Sequence, residues 1–465
     1  MKKLIKNGKI VTSSDSYEAD ILIKNEKIIQ IGRNLEEAGA EVVDATGKLV
    51  LPGMIDEHTH IESPFGGTVT APWKSESVAA AIGGTTTVVD FALQPKGKTL
   101  MDGIDRWKQR AEGSSAIDYG FHIGVTDLRD DVIEEIPTIV KEGIPTLKVF
   151  MAYKDDLMID DATMYKTLAA AKDEGALVMV HCENGDLISL LQKQCIENNQ
   201  TDPIYHAVSR PIEVETEATY RAISIAEIVG APLFIVHVSG DEPADIIRSA
   251  KAKGLPIYAE TCPHYLLLTI EELQKPNFEG GKYVCSPPLR EQRHIDALWN
   301  ALKDGTLEAI GSDHCAFNFK GQKELGKEDF RKIPNGGNGI EHRLTLLHTY
   351  GVLEGKLSLN KMVDLLSTTP AKVMGLFPEK GTIAVGSDAD IVLFDPNKQQ
   401  TISQSTSHQG LDYDMFEGYK TKGAPTDVFL RGKQIVENGK FVGQLGDGQF
   451  VRRSPFGFCY DTIKL

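Results

Sequence analysis

The strongest constraint on the fold is a repeated alternation of short apolar segments with helical segments between about residues 52 and 382. Eight of the segments are typical of strands, and eight parallel strands close a barrel. They span residues 54–60, 85–90, 118–124, 146–150, 177–181, 233–237, 257–260 and 307–313. An open doubly wound sheet would alternate in the same way, but none of the strands is followed by a GxGxxG or GxxxxGK[ST] phosphate loop. We therefore expect an α/β protein with a (β/α)8 TIM-like barrel over residues 53–382.

The helical segments of this region support the same interpretation. Each has glycine or proline near its end, where a helix is expected to stop. The clearest of them cover residues 75–82, 162–172, 215–229 and 242–253.

Both ends of the chain have a different sequence pattern, in which short predicted strands are separated by polar turns. Strand patterns occur at residues 4–5, 10–11, 21–23, 28–31 and 41–43, and again at 389–394 and 427–441. Half a sheet cannot bury its apolar face by itself, so we expect residues 1–52 and 383–465 to form one β-sandwich domain. The tail from residue 443 is too aromatic for a free terminus, and we expect it to pack on a neighbouring subunit. The same chain's barrel is the alternative surface for this tail, whose aromatic residues are Phe450, Phe456, Phe458 and Tyr460.

Charge and composition exclude several classes of partner. The chain has 50 basic and 66 acidic residues, a net charge of −16 that repels phosphate backbones and anionic lipids. It contains no apolar run of about 18 residues, and Lys6 and Lys9 interrupt any secretory signal near the start. The six cysteines form no CxxC pair. We therefore expect a cytoplasmic enzyme with free thiols and neither a nucleic-acid nor a membrane partner.

Histidines and a carboxylate lie at the ends of several predicted strands. Asp56, His58 and His60 alternate along the first strand and so share one side of it, while His181, His237 and Asp313 end later strands. The carboxyl ends of parallel barrel strands meet on one face, where active sites are built. A single histidine at a strand end is more often structural, but neutral imidazoles together with a carboxylate are the ligands of zinc and similar divalent ions. The sequence therefore predicts a metal site on this face.

Lys148 is the most informative single residue. The period of two in residues 146–150 turns Leu147 and Val149 toward the helices and Lys148 toward the barrel interior. A protonated amine beside divalent cations would be disfavoured by burial and by like charge. A neutral amine can take up carbon dioxide and become a carbamate, an anion with two oxygens that can bridge two metals. The alternative is an ordinary ion pair with Asp313 or Glu183.

Seven motifs, in order along the chain, resemble the dihydropyrimidinase and D-hydantoinase family of cyclic amidases. The motifs are GMIDEHTH (53–60), LKVFMAYK (147–154), VHCENG (180–185), IVHVS (235–239), SPPLR (286–290), GSDHC (311–315) and PNG (334–336). The resemblance runs to about residue 395 and implies hydrolysis of hydantoins or 5,6-dihydropyrimidines to N-carbamoyl amino acids. It also implies a homotetramer with a barrel and a β-sandwich in each chain.

The resemblance further implies a binuclear zinc centre. His58, His60 and Asp313 would hold one metal, and His181 and His237 would hold the other. Lys148, carboxylated by carbon dioxide to N6-carboxylysine, would bridge the two together with a hydroxide that attacks the ring carbonyl.

The resemblance also suggests roles for residues around the metals. Asp313 would carry the proton from the nucleophile to the leaving nitrogen, and Tyr153 would donate a hydrogen bond to the oxyanion. The backbones of Ser286 and Asn335 would hold the cyclic amide. An apolar lid over the ring's exocyclic substituent would be formed by Phe65, Phe150 and Leu157. Ordinary loop packing is the alternative for Tyr153 and for the lid residues.

Glu62 bears on the choice of substrate, because it lies two positions after His60, where related dihydroorotases have an arginine for a substrate carboxylate. A carboxylate at this position would repel an anionic ring, so we expect neutral rings. An allantoinase-like or dihydroorotase-like cyclic amidase is the second candidate. A non-catalytic scaffold relative is the third, and the retained ligand positions argue against it.

Overall fold

The computed structural model describes residues 2–457. The strands, in chain order, are β1 (Lys2–Lys6), β2 (Lys9–Val11), β3 (Ser16–Glu18), β4 (Asp20–Lys24), β5 (Lys27–Gly32), β6 (Glu41–Asp44), β7 (Leu49–Pro52), β8 (Met54–Thr59), β9 (Pro64–Phe65), β10 (Thr68–Val69), β11 (Thr85–Leu93), β12 (Asp118–Gly124), β13 (Thr146–Phe150), β14 (Leu177–His181), β15 (Leu233–Ile235), β16 (Ile257–Thr261), β17 (Ala309–Ile310), β18 (Ile391–Thr401), β19 (Lys420–Leu430), β20 (Lys433–Glu437) and β21 (Lys440–Phe441).

The α-helices are α1 (Trp73–Ile82), α2 (Leu100–Ala111), α3 (Asp130–Ile133), α4 (Ile136–Lys141), α5 (Asp161–Asp173), α6 (Gly185–Glu197), α7 (Ile204–Val208), α8 (Ile212–Val229), α9 (Asp241–Ala252), α10 (Pro263–Leu267), α11 (Gln292–Asp304), α12 (Arg343–Leu346), α13 (Leu359–Val363) and α14 (Thr369–Val373). Short 3₁₀ turns cover Ile270–Gln274, Glu279–Tyr283, Lys323–Gly326 and Phe330–Lys332, and π turns cover Leu347–Val352 and Asp364–Thr368.

Eight parallel strands form the barrel in the order β17-β16-β15-β14-β13-β12-β11-β8. The sheet closes between its first and last strands, where Thr59 bridges His314 and the His60 N–H donates to the His314 carbonyl at 2.8 Å. This closure excludes an open doubly wound sheet. Apolar side chains fill the interior, and the segment around α14 packs under it through residues such as Met374 and Leu376. The opposite end, at the strand carboxyl ends, is left free for a site.

Strand bounds agree with the sequence pattern to within one residue for β8 and β16, whereas β11 extends three residues past the predicted end and two later strands stop short of site residues. The predicted segments 118–124, 146–150 and 177–181 coincide with β12, β13 and β14. In contrast, β15 ends at Ile235 and β17 spans only Ala309–Ile310, so His237 and Asp313 lie in the loops beyond the strands. Both residues adopt positive φ angles, 39° and 47°, which is incompatible with a continuing strand.

The two chain ends build a β-sandwich, as the strand patterns predict. One sheet has the order β5-β4-β1-β6, and the other has the order β21-β20-β19-β18-β7-β2-β3, in which β7 pairs with β18. Isoleucines from both ends, together with Val50, Leu393 and Phe429, form the buried core between the sheets. The domain boundaries at 52/53 and 382/383 stay a prediction.

Residues 443–457 of the tail pack on the barrel of their own chain, which is the alternative surface, and contact with a neighbouring subunit stays a prediction. The Tyr119 N–H donates to the Gln449 carbonyl at 2.9 Å, and the Val451 N–H donates to the Tyr119 carbonyl at 2.8 Å. Farther on, the Phe456 N–H donates to the Gly175 carbonyl at 2.8 Å. Phe450 packs on the Tyr119 and Phe121 rings. The other two aromatic residues of the predicted tail, Phe458 and Tyr460, lie outside the described residues.

The described cysteines are all buried free thiols, at positions 182, 195, 262, 285 and 315. Among residues 2–457, no helix combines the length and the apolar character that a membrane crossing requires.

Candidate metal centre and substrate pocket

One cavity at the carboxyl end of the barrel collects the metal ligands, substrate contacts and lid residues that the sequence predicts. Its wall contains the predicted metal ligands, the predicted substrate contacts and the predicted lid. They are His58, His60, Lys148, His181, His237, Asp313, Tyr153, Ser286, Asn335, Phe65, Phe150 and Leu157. These residues come from positions far apart in the chain, and barrel closure brings them together.

The first set of candidate ligands is His58, His60 and Asp313. One donor atom from each lies within 4.8 Å of the other two. The Nε2 atoms of His58 and His60 lie 3.2 and 3.5 Å from Asp313 Oδ1. The buried His58 Nε2 makes no hydrogen bond to a described residue. Two imidazole nitrogens and one carboxylate oxygen therefore face a common point.

Neighbouring groups fix the orientation of the His58 ring. Its Nδ1 contacts the buried Glu260 carboxylate, which leaves Nε2 for the cavity. Burial opposes protonation of His58, but the charges of Glu260 and Asp313 outweigh it and raise its pKa to about 9. A Cβ at Gly311 would lie 2.7 Å from the Cβ of His58 and 2.9 Å from Glu260 Oε2, so glycine is needed for this close packing.

Asp56 shares the barrel-facing side of β8 with these histidines but serves to fasten the barrel. Its Oδ1 accepts from the Ser312 N–H at 3.0 Å, and its Oδ2 lies 3.2 Å from Arg343 Nε. Asp56 thereby joins the first strand to the loop that carries Asp313.

The second pair of candidate ligands is His181 and His237. The His181 Nδ1 and the His237 Nε2 face each other at 2.9 Å. The other ring nitrogen of His181 pairs with Glu183 at 2.7 Å, and Arg210 pairs with the same carboxylate at 3.0 Å. Burial would raise the pKa of Glu183, but Arg210 and His181 together lower it to about 2. A permanently charged carboxylate therefore holds His181 with Nδ1 toward the cavity.

Lys148 points into the cavity as its strand alternation predicts. It is 1 % exposed, while Leu147 and Val149 pack in the helix-facing core. Its Nζ lies 4.8 and 5.2 Å from the ring centres of Phe91 and Phe150. None of the described carboxylates, Asp313 and Glu183 included, lies within the 4.0 Å of an ion pair. Burial lowers the pKa of Lys148 to about 8, so a neutral amine is readily accessible.

Backbone strain is concentrated around this cavity. His237, Asp313 and Tyr153 have φ angles of 39°, 47° and 64°. Non-glycine residues rarely adopt such angles, and where they do, the surrounding structure must enforce them. Here the strain turns side chains from the ends of strands and from a loop into the pocket.

Tyr153, Ser286 and Asn335 lie around the pocket mouth. Burial raises the pKa of the Tyr153 phenol and outweighs the opposing effect of the nearby Ser286, so the phenol remains a proton donor at neutral pH. The Ser286 hydroxyl also lies 3.2 Å from His206 Nε2. Phe65 and Phe150 pack edge-on against the Tyr153 ring at 5.3 and 6.1 Å between ring centres, so lid and phenol form one aromatic cluster.

Glu62 does not face the pocket, which corrects the argument for charge repulsion. Its carboxylate accepts from the Trp73 N–H at 3.3 Å, at the start of α1, and it does not belong to the cavity wall. A helix N-terminus attracts a carboxylate, and this accounts for its direction. The position thus lacks a cation for an anionic ring, but it does not place an anion beside the candidate metal ligands.

Sequence reasoning missed the residues that orient the ligands. Glu183 appeared there only as an alternative partner for Lys148, and Glu260 and Arg210 were not singled out. Glu183 follows His181 by two positions at a strand end, a spacing that places both on one side of the chain. No comparable local signal links Glu260 to His58, since their contact depends on barrel closure.

The donor set fits divalent metal ions. Imidazole nitrogens and a carboxylate converge, and each of His58 and His181 has its second nitrogen on a buried carboxylate. This carboxylate–histidine arrangement is typical of metal-binding histidines. The buried His58 Nε2 and His237 Nδ1 lack hydrogen-bond partners among the described residues.

The family model and the similar proteins of known function point to the same family. The model of the amidohydrolase family matches residues 49–435. A D-hydantoinase of Geobacillus stearothermophilus is 55% identical over 470 residues, covering 100% of both chains. A dihydropyrimidinase of Rattus norvegicus is 41% identical over 99% of this chain and 91% of its own length.

Solved structures agree with the sequence comparison. The crystal structure of a dihydropyrimidinase from Brevibacillus agri matches with a TM-score of 0.97 and 55% identity, over 98% of this chain and 99% of that one. An L-hydantoinase from Arthrobacter aurescens matches with a TM-score of 0.89 at 30% identity, over 97% and 100%. The chain therefore belongs to the amidohydrolase family, in the group that contains the D-hydantoinases and dihydropyrimidinases.

Proposed function

We propose that the protein is a metal-dependent cyclic amidase that opens the ring amide of hydantoins and 5,6-dihydropyrimidines to give N-carbamoyl amino acids. The observation that carries this proposal is the convergence of four histidines, Asp313 and the buried Lys148 in one cavity. The relatives named above, D-hydantoinases and dihydropyrimidinases, support the choice of ring.

Two divalent ions, with zinc as the expected metal, would be held by these residues. His58, His60 and Asp313 would bind one ion, and His181 and His237 would bind the other. Bound divalent ions polarise a carbonyl and acidify water, which supplies hydrolytic chemistry at neutral pH without an activated serine or cysteine.

Lys148 would bridge the ions as N6-carboxylysine. Its neutral amine forms a bond to the carbon of carbon dioxide and loses one proton, which leaves a carbamate anion. The lowered pKa of the amine, the absence of an ion pair to any described carboxylate and its place in the same cavity as both histidine sets support this modification. Carbon dioxide is thus expected as a cofactor alongside the metals.

The chain's own residues would handle the proton and the oxyanion. Asp313, at the rim of the ligand set, can accept a proton from water and return it to the departing ring nitrogen. The Tyr153 phenol can donate a hydrogen bond to the oxygen of the attacked carbonyl. The backbones of Ser286 and Asn335 would hold the N–H and C=O edges of the ring.

The lid would cover the ring's exocyclic substituent. Phe65, Phe150 and Leu157 line the same cavity as the ligand set, and an apolar wall favours apolar substituents. Because D-hydantoinases are among the similar relatives, we expect preference for the D-enantiomer of a 5-substituted hydantoin.

A homotetramer in the cytoplasm is the expected state of the protein. Free buried cysteines suit a reducing compartment. Helices α5, α6 and α8 expose Tyr165, Leu187, Leu190 and Tyr220, each at least 46% accessible, on the outside of the barrel. Such apolar surface is typical of subunit interfaces. Light scattering should give the mass of four chains, and a monomer would contradict this part of the proposal.

A substrate panel on metal-replete enzyme tests the reaction. Rates for dihydrouracil, a 5-substituted hydantoin, allantoin and dihydroorotate should be compared as kcat/KM. We expect the first two rings to be preferred. Preference for allantoin or dihydroorotate would favour an allantoinase-like or dihydroorotase-like enzyme.

Metal analysis tests the centre independently of substrate choice. Reconstituted protein should bind two divalent ions per chain, and removal by a chelator should abolish hydrolysis. Failure to bind any divalent ion would favour a non-catalytic scaffold.

A further inference from the structure

A second cavity adjoins the substrate pocket on the far side of the lid. Its volume is about 540 Å³, and Phe65, Leu93 and Leu157 line both cavities. These three side chains therefore form a shared wall, and a substituent that passes it leaves the substrate pocket for the second cavity. We call this cavity the arginine chamber, after Arg106 and Arg110, which also line it.

The two arginines lie on one face of α2, since they are four residues apart. None of the described carboxylates lies within the 4.0 Å of an ion pair with either guanidinium. The buried Nη1 of Arg110 has no hydrogen-bond partner among the described residues. In a chain with a net charge of −16, two unpaired guanidinium groups in one cavity are a marked local excess of positive charge.

Arg110 is held in place from one side. Its guanidinium carbon lies 4.5 Å from the centre of the Trp107 ring, and Trp107 Nε1 donates to Asp90 Oδ2 at 2.9 Å. A cation packed on an aromatic face keeps its N–H donors for other partners. The guanidinium is thus oriented before any ligand arrives.

The charges around Arg110 are of both signs, and none of the described carboxylates forms an ion pair with it. Burial lowers the pKa of Arg110, the more distant Glu62 and Asp90 oppose that change, and Arg106 adds a repulsive positive charge. Lys96 and Asp156 complete the charged wall, and the Lys96 ammonium donates to the Asp155 carbonyl at 3.0 Å. An anion in the chamber would relieve the repulsion between the two arginines.

We propose that the arginine chamber binds a carboxylate at the end of the ring's exocyclic substituent. The substrates would include carboxyalkyl hydantoins, which are the cyclic ureides of acidic amino acids. This inference rests on the proposed function, because the ring amide must occupy the metal-ligand pocket for its substituent to reach the lid. The shared apolar wall contacts the methylene groups of such a substituent, and the arginines contact its charged end.

The test compares a carboxylate with its neutral isostere on the same ring. Wild-type kcat/KM is measured for 5-(2-carboxyethyl)hydantoin and for 5-(2-carbamoylethyl)hydantoin, with 5-methylhydantoin as a reference for ring opening. We expect the carboxylate to be preferred by about tenfold, since charge-assisted bidentate contacts are about twice as strong as neutral ones. The ratio should fall toward one in Arg110→Gln and in Arg106→Gln, and Arg110→Lys should keep part of it.

A matched control is Arg33→Gln, which removes an exposed arginine of the β-sandwich and changes the net charge equally. This variant should keep the wild-type ratio. A wild-type ratio of one or less, or a ratio unchanged in Arg106→Gln/Arg110→Gln, would overturn the inference while hydrolysis of 5-methylhydantoin upholds the proposed function. Failure to open any of the three rings would instead refute the proposed function.

Discussion

At the scale of single residues, Lys148 has the environment that most constrains the chemistry. It is buried, its pKa is lowered to about 8, and none of the described carboxylates pairs with it. An amine in this setting is easily deprotonated, and the carbamate formed from the neutral amine would be an anion that completes a ligand set otherwise containing one carboxylate. The other proposed ligands would then depend on it to hold two cations close together.

Lys148→Ala should lose most of the bound metal and nearly all activity. We expect kcat/KM to fall by a factor on the order of 10³, because metal-derived charge stabilisation is worth several kcal/mol. Added acetate or propionate should restore a little activity and metal, and an equal concentration of chloride should not. Full activity in the variant would rule out the bridge.

Glu183 is a positioning residue for His181. Glu183→Gln should weaken metal binding by about 10- to 100-fold, because a neutral amide holds the imidazole less firmly than a charged carboxylate. The measurement is metal retention against a chelator, and Glu213→Gln on the exposed side of α8 is the control. Equal retention in both variants would show that Glu183 does not orient the ligand.

Sequence reasoning reached the candidate ligands but not the residues that orient them. Strand alternation and the common carboxyl edge of a barrel predict which histidines converge. The two-residue period of a strand also predicts that Lys148 points into the barrel. Glu260 and Arg210 contact their histidines only through the closed barrel, so no local pattern indicates them. Glu62 was wrongly placed against the substrate because its direction is set by the start of α1.

At the scale of elements, the loops after the strands shape the site more than the strands do. His237 and Asp313 lie beyond β15 and β17 in left-handed backbone, where the sequence predicts continuing strand. Periodicity measures which face a residue occupies, but it does not show where hydrogen bonding in a ladder stops. The predicted bounds are therefore accurate for β12–β14. They are inaccurate for β15 and β17, where the backbone beyond each strand turns into the left-handed region at His237 and Asp313.

The hairpin formed by β9 and β10 carries Phe65 of the lid. Phe65→Ala should raise KM for 5-benzylhydantoin by about tenfold, since losing an apolar contact costs about 1–3 kcal/mol. Dihydrouracil has no substituent to cover, so its kinetics should change little. Val385→Ala, at an exposed site 64% accessible in the β-sandwich, is the control. An equal effect on both rings would argue against a lid.

At the scale of the whole molecule, the chain's two ends and its barrel form one connected structure. The sandwich joins both ends through β7 and β18, and the tail crosses back to pack beside β12. The sequence predicts the sandwich because unpaired sheets must bury their apolar faces. For the tail the sequence leaves two alternatives, a neighbouring subunit and the chain's own barrel. Its aromatic composition predicts that the tail is buried, but not which surface buries it.

Gly448 tests how firmly the tail is attached. A Cβ at this position would lie 1.8 Å from the Ile117 carbonyl oxygen, so Gly448→Ala forces the tail away from the barrel. We expect the free energy of unfolding to fall by about 1–3 kcal/mol, as for other overpacked sites. Gly339→Ala, whose nearest neighbour is Phe416 at 3.7 Å, should change the melting temperature far less. Equal melting temperatures would show that the tail contributes no stability.

The most direct measurement is a crystal structure of the metal-loaded protein from a preparation with full hydantoinase activity. It should show the Lys148 side chain extended by a carboxyl group, with its two oxygens on separate metal ions held by His58, His60 and Asp313 and by His181 and His237. A free amine at Lys148 in such active crystals would contradict the account.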